Sequence, residues 1–257
     1  MTDIKPFRAD LHVHTVLSPC AEIEMLPPLI VDTALAKNIQ VIAITDHNAS
    51  ANICAVQKAA VGTGLIVLPG MEVQTREEVH CLCLFDDLEQ INQFQAIINQ
   101  SLPPKLNIPE FFGHQLVVDE FGEFVRFEEQ LLITSVQLTI EETFDLVKKL
   151  GGIIIPAHID RKANGLIYTL GFVPVDVPIP ALEISRQLTP NQAREKYPQI
   201  KGYPIIQNGD VHRLEEFIGT TIFNVFYPTI QEIHLALNNQ DGRFVQILSP
   251  QETSISD

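Results

Sequence analysis

Metal-ligating side chains recur through this 257-residue chain at the ends of apolar runs. The first group is Asp10-Leu11-His12-Val13-His14-Thr15, which reads as a strand. Alternate residues of a strand share a face, so His12 and His14 project together and can chelate one ion. Asp10 falls on the same face by that spacing, where it could accept the distal N–H of one of these histidines. Thr45-Asp46-His47 follows the apolar run Val41–Ile44, and Glu72 follows Leu65–Leu68. His80 opens the run Val79–Phe85, His158 follows Ile153–Pro156, and Gly209-Asp210-Val211-His212 follows Pro204–Gln207. Nine nitrogen and oxygen ligands exceed what one tetrahedral ion takes; they suit two to three divalent ions sharing a bridging carboxylate. No thiolate set is needed, so Zn²⁺, Mn²⁺ or Fe²⁺ all fit.

The elements that must carry these residues alternate between strand and helix. Helical stripes cover Pro28–Lys37, Ala51–Val61 and Leu88–Gln100. Thr139 and Glu142 form a capping box for a helix running to Leu150 and stopped by Gly151-Gly152. Shorter strands are read at Ala181–Ser185 and Pro204–Gln207. Ile222–Tyr227 is a strand or loop, and a helix at Ile230–Asn238 precedes a strand at Arg243–Leu248. Residues after Ser249 are expected to fray. Residues 101–138 break the rhythm, with Pro103, Pro104 and Pro109 and then a hairpin pattern over Gln115–Phe127. This is read as a hairpin insertion, either covering a barrel mouth or decorating the surface. Strand–helix alternation predicts an α/β fold with a largely parallel sheet. Ligands at the ends of at least five strands favour a closed or nearly closed barrel, because only a barrel gathers those ends into one ring. The expectation is a single domain spanning residues 1–257.

Composition narrows the partners. The formal net charge is −15 and 46% of residues are hydrophobic, enough for one large core. Such a chain repels long polyanions, which argues against tight binding of long nucleic acid. The four cysteines lack paired C-x-x-C spacing and do not form a disulfide scaffold. Met1–Arg8 has no apolar signal-type core and no apolar run reaches 18 residues, so a cytoplasmic protein without a membrane span is expected. Nothing in the sequence speaks to oligomeric state.

Taken in order, His12-x-His14, Thr45-Asp46-His47, Gly70-x-Glu72, His80, Pro156-x-His158 and Gly209-Asp210-x-His212 resemble the PHP (polymerase and histidinol phosphatase) metallo-phosphoesterase family. The resemblance implies a distorted (β/α)7 TIM-like barrel with a trinuclear metal site that hydrolyses phosphate esters. It implies that His12, His14, Glu72 and Asp210 hold a first metal. Glu72 would bridge to a second held by His80 and His158, and His47 and His212 would hold a third. Asp46 matches the carboxylate beside the histidine of the second motif. The chain departs from the pattern in the loop after the first motif, Ser18-Pro19-Cys20-Ala21-Glu22-Ile23-Glu24, where a further third-metal ligand is often found. A carboxylate suits a hard site better than a lone thiol, which ranks Glu24 ahead of Cys20, with Glu22 also in reach.

The implied chemistry is attack by a metal-activated hydroxide near Glu72, with Asp210 in the same catalytic group. Asp46 or His212 would protonate the leaving oxygen. Arg161 and Arg213 lie just beyond ligands and would grip phosphate oxygens, Arg161 foremost; Lys162 and Arg186 are weaker choices. Glu183 sits at ring level, either supporting a ligand or pairing with Arg186. His114 could line the mouth, and His234 reads as a packing or surface residue. The substrate would be a small phosphomonoester, a nucleotide or an oligonucleotide end. Two alternatives stand beside this reading. One is an amidohydrolase-type hydrolase, which would need a bridging lysine where this chain has Glu72. The other is a metal-bound, non-catalytic structural or regulatory module.

Overall fold

The computed structural model describes residues 3–248; the stretch after Ser249 lies outside them. Its centre is a curled seven-stranded sheet. The strands are β1 (Lys5–Val13), β2 (Val41–Ile44), β3 (Ile66–Gln74), β4 (His80–Leu84), β7 (Ile153–Pro156), β10 (Thr221–Val225) and β11 (Phe244–Ile247), in the order β11-β10-β1-β2-β3-β4-β7. Two small sheets accompany it, β5 (Leu116–Val118) with β6 (Phe124–Phe127), and β8 (Leu182–Ile184) with β9 (Ile205–Gln207). Among the described residues, eight α-helices complete the fold: α1 (Pro27–Ala36), α2 (Ile53–Ala59), α3 (Leu88–Ser101), α4 (Pro109–Phe112), α5 (Ile140–Lys149), α6 (Leu166–Leu170), α7 (Pro190–Lys196) and α8 (Ile230–Leu237). The sequence pattern carries no expectation of α4, α6 or α7, which are four to seven residues long. Among the described residues no helix is long and apolar enough to cross a membrane.

The sheet is mixed, which corrects the expectation of a largely parallel one. Only β1–β2 and β2–β3 pair in parallel within it; β3–β4, β4–β7, β1–β10 and β10–β11 are antiparallel. The reason for β4 lies in its connection. The Thr75–Val79 turn is too short for a parallel crossover and can only fold the chain back. His80 therefore reaches the ring from the N-terminal end of its strand. The β8–β9 pair lies between β7 and the far end of β1. Ile159 N donates to Glu183 O (2.9 Å) on one side, and Val211 N donates to His12 O (2.9 Å) on the other.

Two hydrophobic layers hold the sheet. Ile42, Ile44, Met71, Val73, Cys81, Cys83 and Ile154 pack outward against the helices, with Ile30, Val56, Phe94, Phe144 and Val147 among their partners. Ala9, Leu11, Val41, Ala43, Leu68, Leu82, Leu84, Ile153, Ile155 and Phe223 line the concave face, closed by Ile230, Ile233 and Leu237 of α8. Each fully buried aliphatic side chain is worth roughly 1.5–3 kcal/mol of transfer free energy. The expected capping box is formed at α5, where Thr139 accepts from Glu142 N (3.0 Å) and Glu142 accepts from Thr139 N (2.8 Å).

Residues 103–138 leave the sheet. β5 and β6 form an antiparallel ladder, and the segment packs on the loop after β1, with Leu116 N donating to Val16 O (3.0 Å). Asn52 binds this segment to the first strand's end, donating to Thr15 Oγ1 (2.9 Å) and Leu116 O (3.0 Å).

Candidate metal centre

The period-two alternation of the strands decides which side chains meet inside the curl. On β3, Leu68 faces the concave layer while Val67, Met71 and Val73 face the helices. Glu72 shares the parity of Leu68 and so points inward. On β4, Leu82 and Leu84 face inward, and His80 with them. On β2, Val41 and Ala43 face inward, which carries His47 in and turns Asp46 away. On β8, Leu182 and Ile184 face the helices, leaving Glu183 on the inner side.

Two ligand candidates break the alternation. In β1, Ala9 and Leu11 belong to the inner layer but Val13 to the outer one, and the pairing with β2 shifts register between Asp10 and Val13. A bulge changes the parity there, so His12 and His14 point inward and Asp10 does not. This corrects the placing of Asp10 on their face. On β7, Ile153, Ile155 and Ala157 face inward, so His158 ought to face out. Its backbone sits at φ +28°, a conformation most residues avoid, and this swings the ring back to the centre. Asp210 is likewise left-handed, at φ +49°.

These side chains converge on Glu72. Its Oε1 lies 2.8 Å from His80 Nδ1, 3.0 Å from His158 Nε2 and 3.2 Å from His12 Nε2. Its Oε2 lies 2.9 Å from His47 Nδ1 and 3.5 Å from His14 Nε2. Asp210 Oδ1 lies 3.2 Å from His12 Nε2, 3.5 Å from His14 Nε2 and 3.4 Å from His212 Nδ1. Three overlapping triads have ligand atoms within 4.8 Å of one another: His14–His47–His212, His12–His14–Asp210 and His47–Glu72–His80. Buried polar atoms are normally hydrogen-bonded. Here His12 Nε2, His14 Nε2, Glu72 Oε2, His80 Nδ1 and Asp210 Oδ1 are buried with no hydrogen-bond partner, while Asp210 Oδ2 has the Arg161 guanidinium beside it. Neutral imidazole nitrogens and carboxylate oxygens left open toward one point are the donor set a borderline divalent ion takes. The residues fit such ions.

Outer partners fix the ring tautomers. Both Glu183 oxygens lie 3.1 Å from His12 Nδ1, so that nitrogen carries a proton outward and Nε2 is the atom turned to the centre. Ser18 Oγ donates to Asp46 Oδ1 (2.7 Å) and accepts from His14 Nδ1 (2.9 Å), which likewise frees His14 Nε2. Asp46 also accepts from Thr15 N and Thr15 Oγ1, each at 2.7 Å. Asp10 accepts from the backbone N–H groups of Gly209 (2.9 Å), Ile218 (3.0 Å) and Gly219 (3.3 Å), and so anchors the loop before Asp210. Asn208 Oδ1 accepts from Leu11 N (2.8 Å) in the same loop. Gly209 has no room for a side chain, since a Cβ would collide with Glu216 O.

Burial opposes charge throughout the cluster, and the neighbours decide the outcome. Against that burial, His80, His12 and His47 hold Glu72 well below the usual carboxylate range. His12 and a hydrogen bond from His14 do the same for Asp210. The carboxylates Glu183, Asp210 and Glu72 raise His12 well above an ordinary histidine despite its burial. Glu72 and Cys20 do so for His47. Burial lowers His80 to about 4 in spite of Glu72, and burial with the positive neighbours His212 and His47 lowers His14. Asp10, buried beside Glu183, is pushed up to about 6.

The remaining sequence candidates separate. Asp46, expected as an acid to the leaving oxygen, is fully buried with both oxygens occupied by Thr15 and Ser18; its observed contacts are those of a positioning group. In the loop after β1, Glu24 is exposed and makes no polar contact to the cluster among the described residues, and Glu22 pairs with Arg213 (2.8 Å). Cys20 is exposed in the same loop, and the neighbouring imidazoles His212 and His47 lower its thiol to about 6. Arg161 pairs with Asp210 Oδ2. Arg186 does not reach the centre; it holds Gly209 O (3.2 Å) and Glu216 (2.7 Å). Arg213 points to Glu22, and Lys162 is exposed. Glu183 supports His12 and does not pair with Arg186. His114 packs by Phe127 with ring centroids 5.6 Å apart, and His234 lies on α8. Sequence patterning passes over Ser18, whose hydroxyl holds the His14 ring, and Glu216, which accepts from His212 N (2.8 Å).

Comparison with known proteins bears on the same residues. The family profile of the PHP domain matches residues 10–155. A sequence comparison with the curated proteins finds no match. Among solved structures, the lesion-specific endonuclease Q of Pyrococcus furiosus superposes with a TM-score of 0.70 at 19% identity, covering 94% of this chain and 58% of that one. An endonuclease Q complex with a 27-mer duplex substrate, its abasic lesion at the active site, gives 0.68 at 18%, covering 96% and 61%. A protein of Bifidobacterium adolescentis assigned as a metal-dependent phosphoesterase gives 0.55 at 19%, covering 82% and 90%. At such identities the likeness is one of fold, and this chain spans about three fifths of the endonuclease Q chains.

Proposed function

The chain belongs to the PHP-domain family, and from that premise we propose that it is a metal-dependent phosphoesterase with two to three divalent transition-metal ions at the Glu72-centred cluster. The observation that carries the reading is the set of five buried, unpartnered nitrogen and oxygen atoms around one point, from His12, His14, Glu72, His80 and Asp210. In this reading the molecule is one barrel-type domain, a distorted (β/α)7 form, with residues 101–138 inserted. His12, His14, Glu72 and Asp210 would hold one ion, Glu72, His80 and His158 a second, and His47 and His212 a third. Bound divalent ions neutralise phosphate charge and lower the pKa of water toward neutrality.

The chain's own residues do the rest. Glu72 and Asp210 stay ionised and supply the anionic centre. Glu183 and the Asp46–Ser18 pair hold the outer Nδ1 atoms of His12 and His14, leaving Nε2 of each turned to the centre. Arg161, 44% exposed and aimed at Asp210, is the cation at the rim. It would turn from Asp210 to grip a substrate phosphate bidentately. Asp46 belongs to positioning, and a proton for the leaving oxygen would come from His212 where its third ion is absent, its ring being 21% exposed.

The substrate class is a phosphate ester: a small monoester, a nucleotide or an oligonucleotide end. A second reading, cleavage of lesion-bearing DNA, draws support from the likeness to endonuclease Q over 94% and 96% of this chain. The −15 net charge weighs against tight binding of a polyanion by this chain alone. An amidohydrolase reading loses ground because Glu72 and not a lysine stands at the bridging position.

A screen of metal-reconstituted protein against phosphomonoesters, phosphodiesters and abasic duplex DNA tests the assignment. Hydrolysis that disappears on chelation and returns with metal is expected. Metal-loaded protein inert across the panel would favour the non-catalytic module, and equal activity after complete metal removal would sink the mechanism.

A further inference from the structure

We propose that the outer edge of β6, with the aromatic groove beside it, is a docking surface for an extended, basic polypeptide segment of a partner protein, bound by strand addition. None of the metal ligands lies on this face, and the metal-dependent reading above is independent of it.

The edge is open because of where the neighbouring chain turns away. β6 runs antiparallel beside β5, and Glu128 N donates to Gln115 O (2.8 Å). Arg126 and Glu128 therefore direct their backbone groups toward β5, and Phe127 between them directs its own outward. Farther along, that outer side is taken: Asn107 N donates to Glu129 O (2.7 Å) and Leu131 N to Lys105 O (2.9 Å). Pro109 has no N–H and opens α4, which ends this pairing. Among the described residues no strand covers the outer side of β6, and Phe127 O meets the Arg126 side chain alone (3.2 Å). An uncovered edge is a template for one more strand.

The same edge is apolar. Phe124, Val125 and Phe127 are each more than half exposed. The β5–β6 pairing slips by one residue at Val125, and this bulge puts Phe124 and Phe127 on one face with ring centroids 4.7 Å apart. A groove of about 360 Å³ lies between Phe127, Leu106 and Pro109, with Glu128 and Glu129 on its wall. Single exposed apolar side chains are ordinary, whereas a contiguous set along an open edge marks an interaction surface.

Charge selects the occupant. Residues 105–129 carry six acidic side chains, Glu110, Asp119, Glu120, Glu123, Glu128 and Glu129, against Lys105 and Arg126. Arg126 is itself tied to Glu128 (2.9 Å). A second copy of the chain would set two acidic faces against each other, and nucleic acid and anionic lipid are repelled. A segment that alternates Lys or Arg with apolar residues fits all three features. Its backbone takes the open edge, its apolar side chains meet Phe124 and Phe127, and its cations meet the glutamates.

Fluorescence anisotropy of the whole protein with a labelled octapeptide alternating valine and lysine tests this. Saturable binding that weakens with added salt is expected. The same peptide N-methylated at every second residue loses the donors of one edge and should not bind, and a valine–glutamate octapeptide should not bind either. Phe127→Ser and the double variant Glu123→Lys/Glu129→Lys should each weaken binding by about tenfold or more, with circular dichroism, metal content and phosphoester hydrolysis unchanged. No saturable binding up to about 1 mM peptide, equal affinity for the N-methylated or glutamate peptide, or full affinity in both variants would overturn strand addition of a basic segment. Dimerisation in sedimentation, or binding of a single-stranded DNA or of phosphatidylserine vesicles, abolished in either case by Phe127→Ser, would give the face to another occupant and overturn it equally.

Discussion

His12, His14, Glu72 and His80 stand on, or one residue beyond, strands of a single sheet, while Cys20 and His212 stand on turns at its rim. On the strand side the side chains are between 0% and 13% exposed, and their backbones are locked in sheet pairing. On the turn side His212 is 21% exposed, and its position depends on Glu216 and on one backbone bond from Glu22. The difference teaches how one cluster can combine a preorganised part with an adjustable one. The strand side has its desolvation cost met by folding, so its geometry exists before any ion arrives. The turn side can shift without disturbing the core, and its ion should be the first to leave. Glu72→Gln attacks the strand side at its centre. It removes the charge around which five histidines are arranged, and two metal positions share it. Loss of at least two metal equivalents is expected, with a fall in hydrolysis of about 10³-fold, corresponding to roughly 4 kcal/mol of transition-state stabilisation. Elemental analysis and a phosphoester assay on the same preparation check this; full metal content would break the comparison.

The next effect concerns the partners that orient the strand-side rings. Glu183→Gln should release His12 from its tautomer, and Asp46→Asn should do the same to His14 through Ser18. Changes of this type cost about 10–100-fold in metal affinity or activity. Competition with a metal indicator measures it. If Asp46 were the acid for the leaving oxygen, Asp46→Asn would lower kcat with metal affinity unchanged, and its assignment to positioning would fail.

The ring was legible in the sequence because it is written in strand alternation. Glu72 and His80 follow from the parity of Leu68, Leu82 and Leu84, and His12 with His14 from their own spacing. What alternation could not show is where it breaks. The bulge between Asp10 and Val13 moves Asp10 off the histidines' face, and the φ +28° backbone of His158 reverses its side. Both are backbone irregularities with no residue signature, neither Gly nor Pro. The direction of β4 was hidden for another reason: an apolar run reads the same in a parallel or antiparallel strand, and only the shortness of Thr75–Val79 settles it. Side-chain choices within a loop were the least legible. Hardness alone ranked Glu24 above Cys20, and in the folded loop both side chains are exposed. Glu183 could have been placed from sequence as a lone carboxylate between two outward-facing apolar residues.

Acidity sharpens the comparison further. In the metal-free protein His12 and His47 are raised well above the ordinary histidine value and His212 is raised, whereas His14 and His80 are lowered. The strand side therefore surrenders one raised proton to an ion, from His12, and the turn side two. Affinity should fall as pH drops toward and below the histidine range, by up to tenfold per pH unit for each proton displaced, and more steeply for the turn-side ion. The same shifts set the stability of the metal-free fold. His12 and His47 have folded values above their unfolded ones, so their contribution is complete below the unfolded value and is lost as pH rises through the folded one. Glu72 and Asp210 have depressed values, and theirs is lost as pH falls through those. Metal titrations and thermal melts across pH 5–9 test both; equal slopes for all ions would remove the distinction between the sides.

The smallest expected effect tests the turn side alone. Gly113 occupies a left-handed conformation and abuts Pro19, so Gly113→Ala both strains its own backbone and pushes on the Cys20 loop. Strain of this kind costs about 1–3 kcal/mol. The strand-side ligands share no element with Gly113, whereas the loop after Pro19 is bonded to His212 O through Glu22 N (2.9 Å). Thermal unfolding should shift down modestly, and affinity for the last metal equivalent should weaken by roughly tenfold, which equals about 1.4 kcal/mol. The first two equivalents should bind as in the parent protein. Uniform weakening of all equivalents would mean that the two sides move as one body and that their separate construction has no energetic consequence.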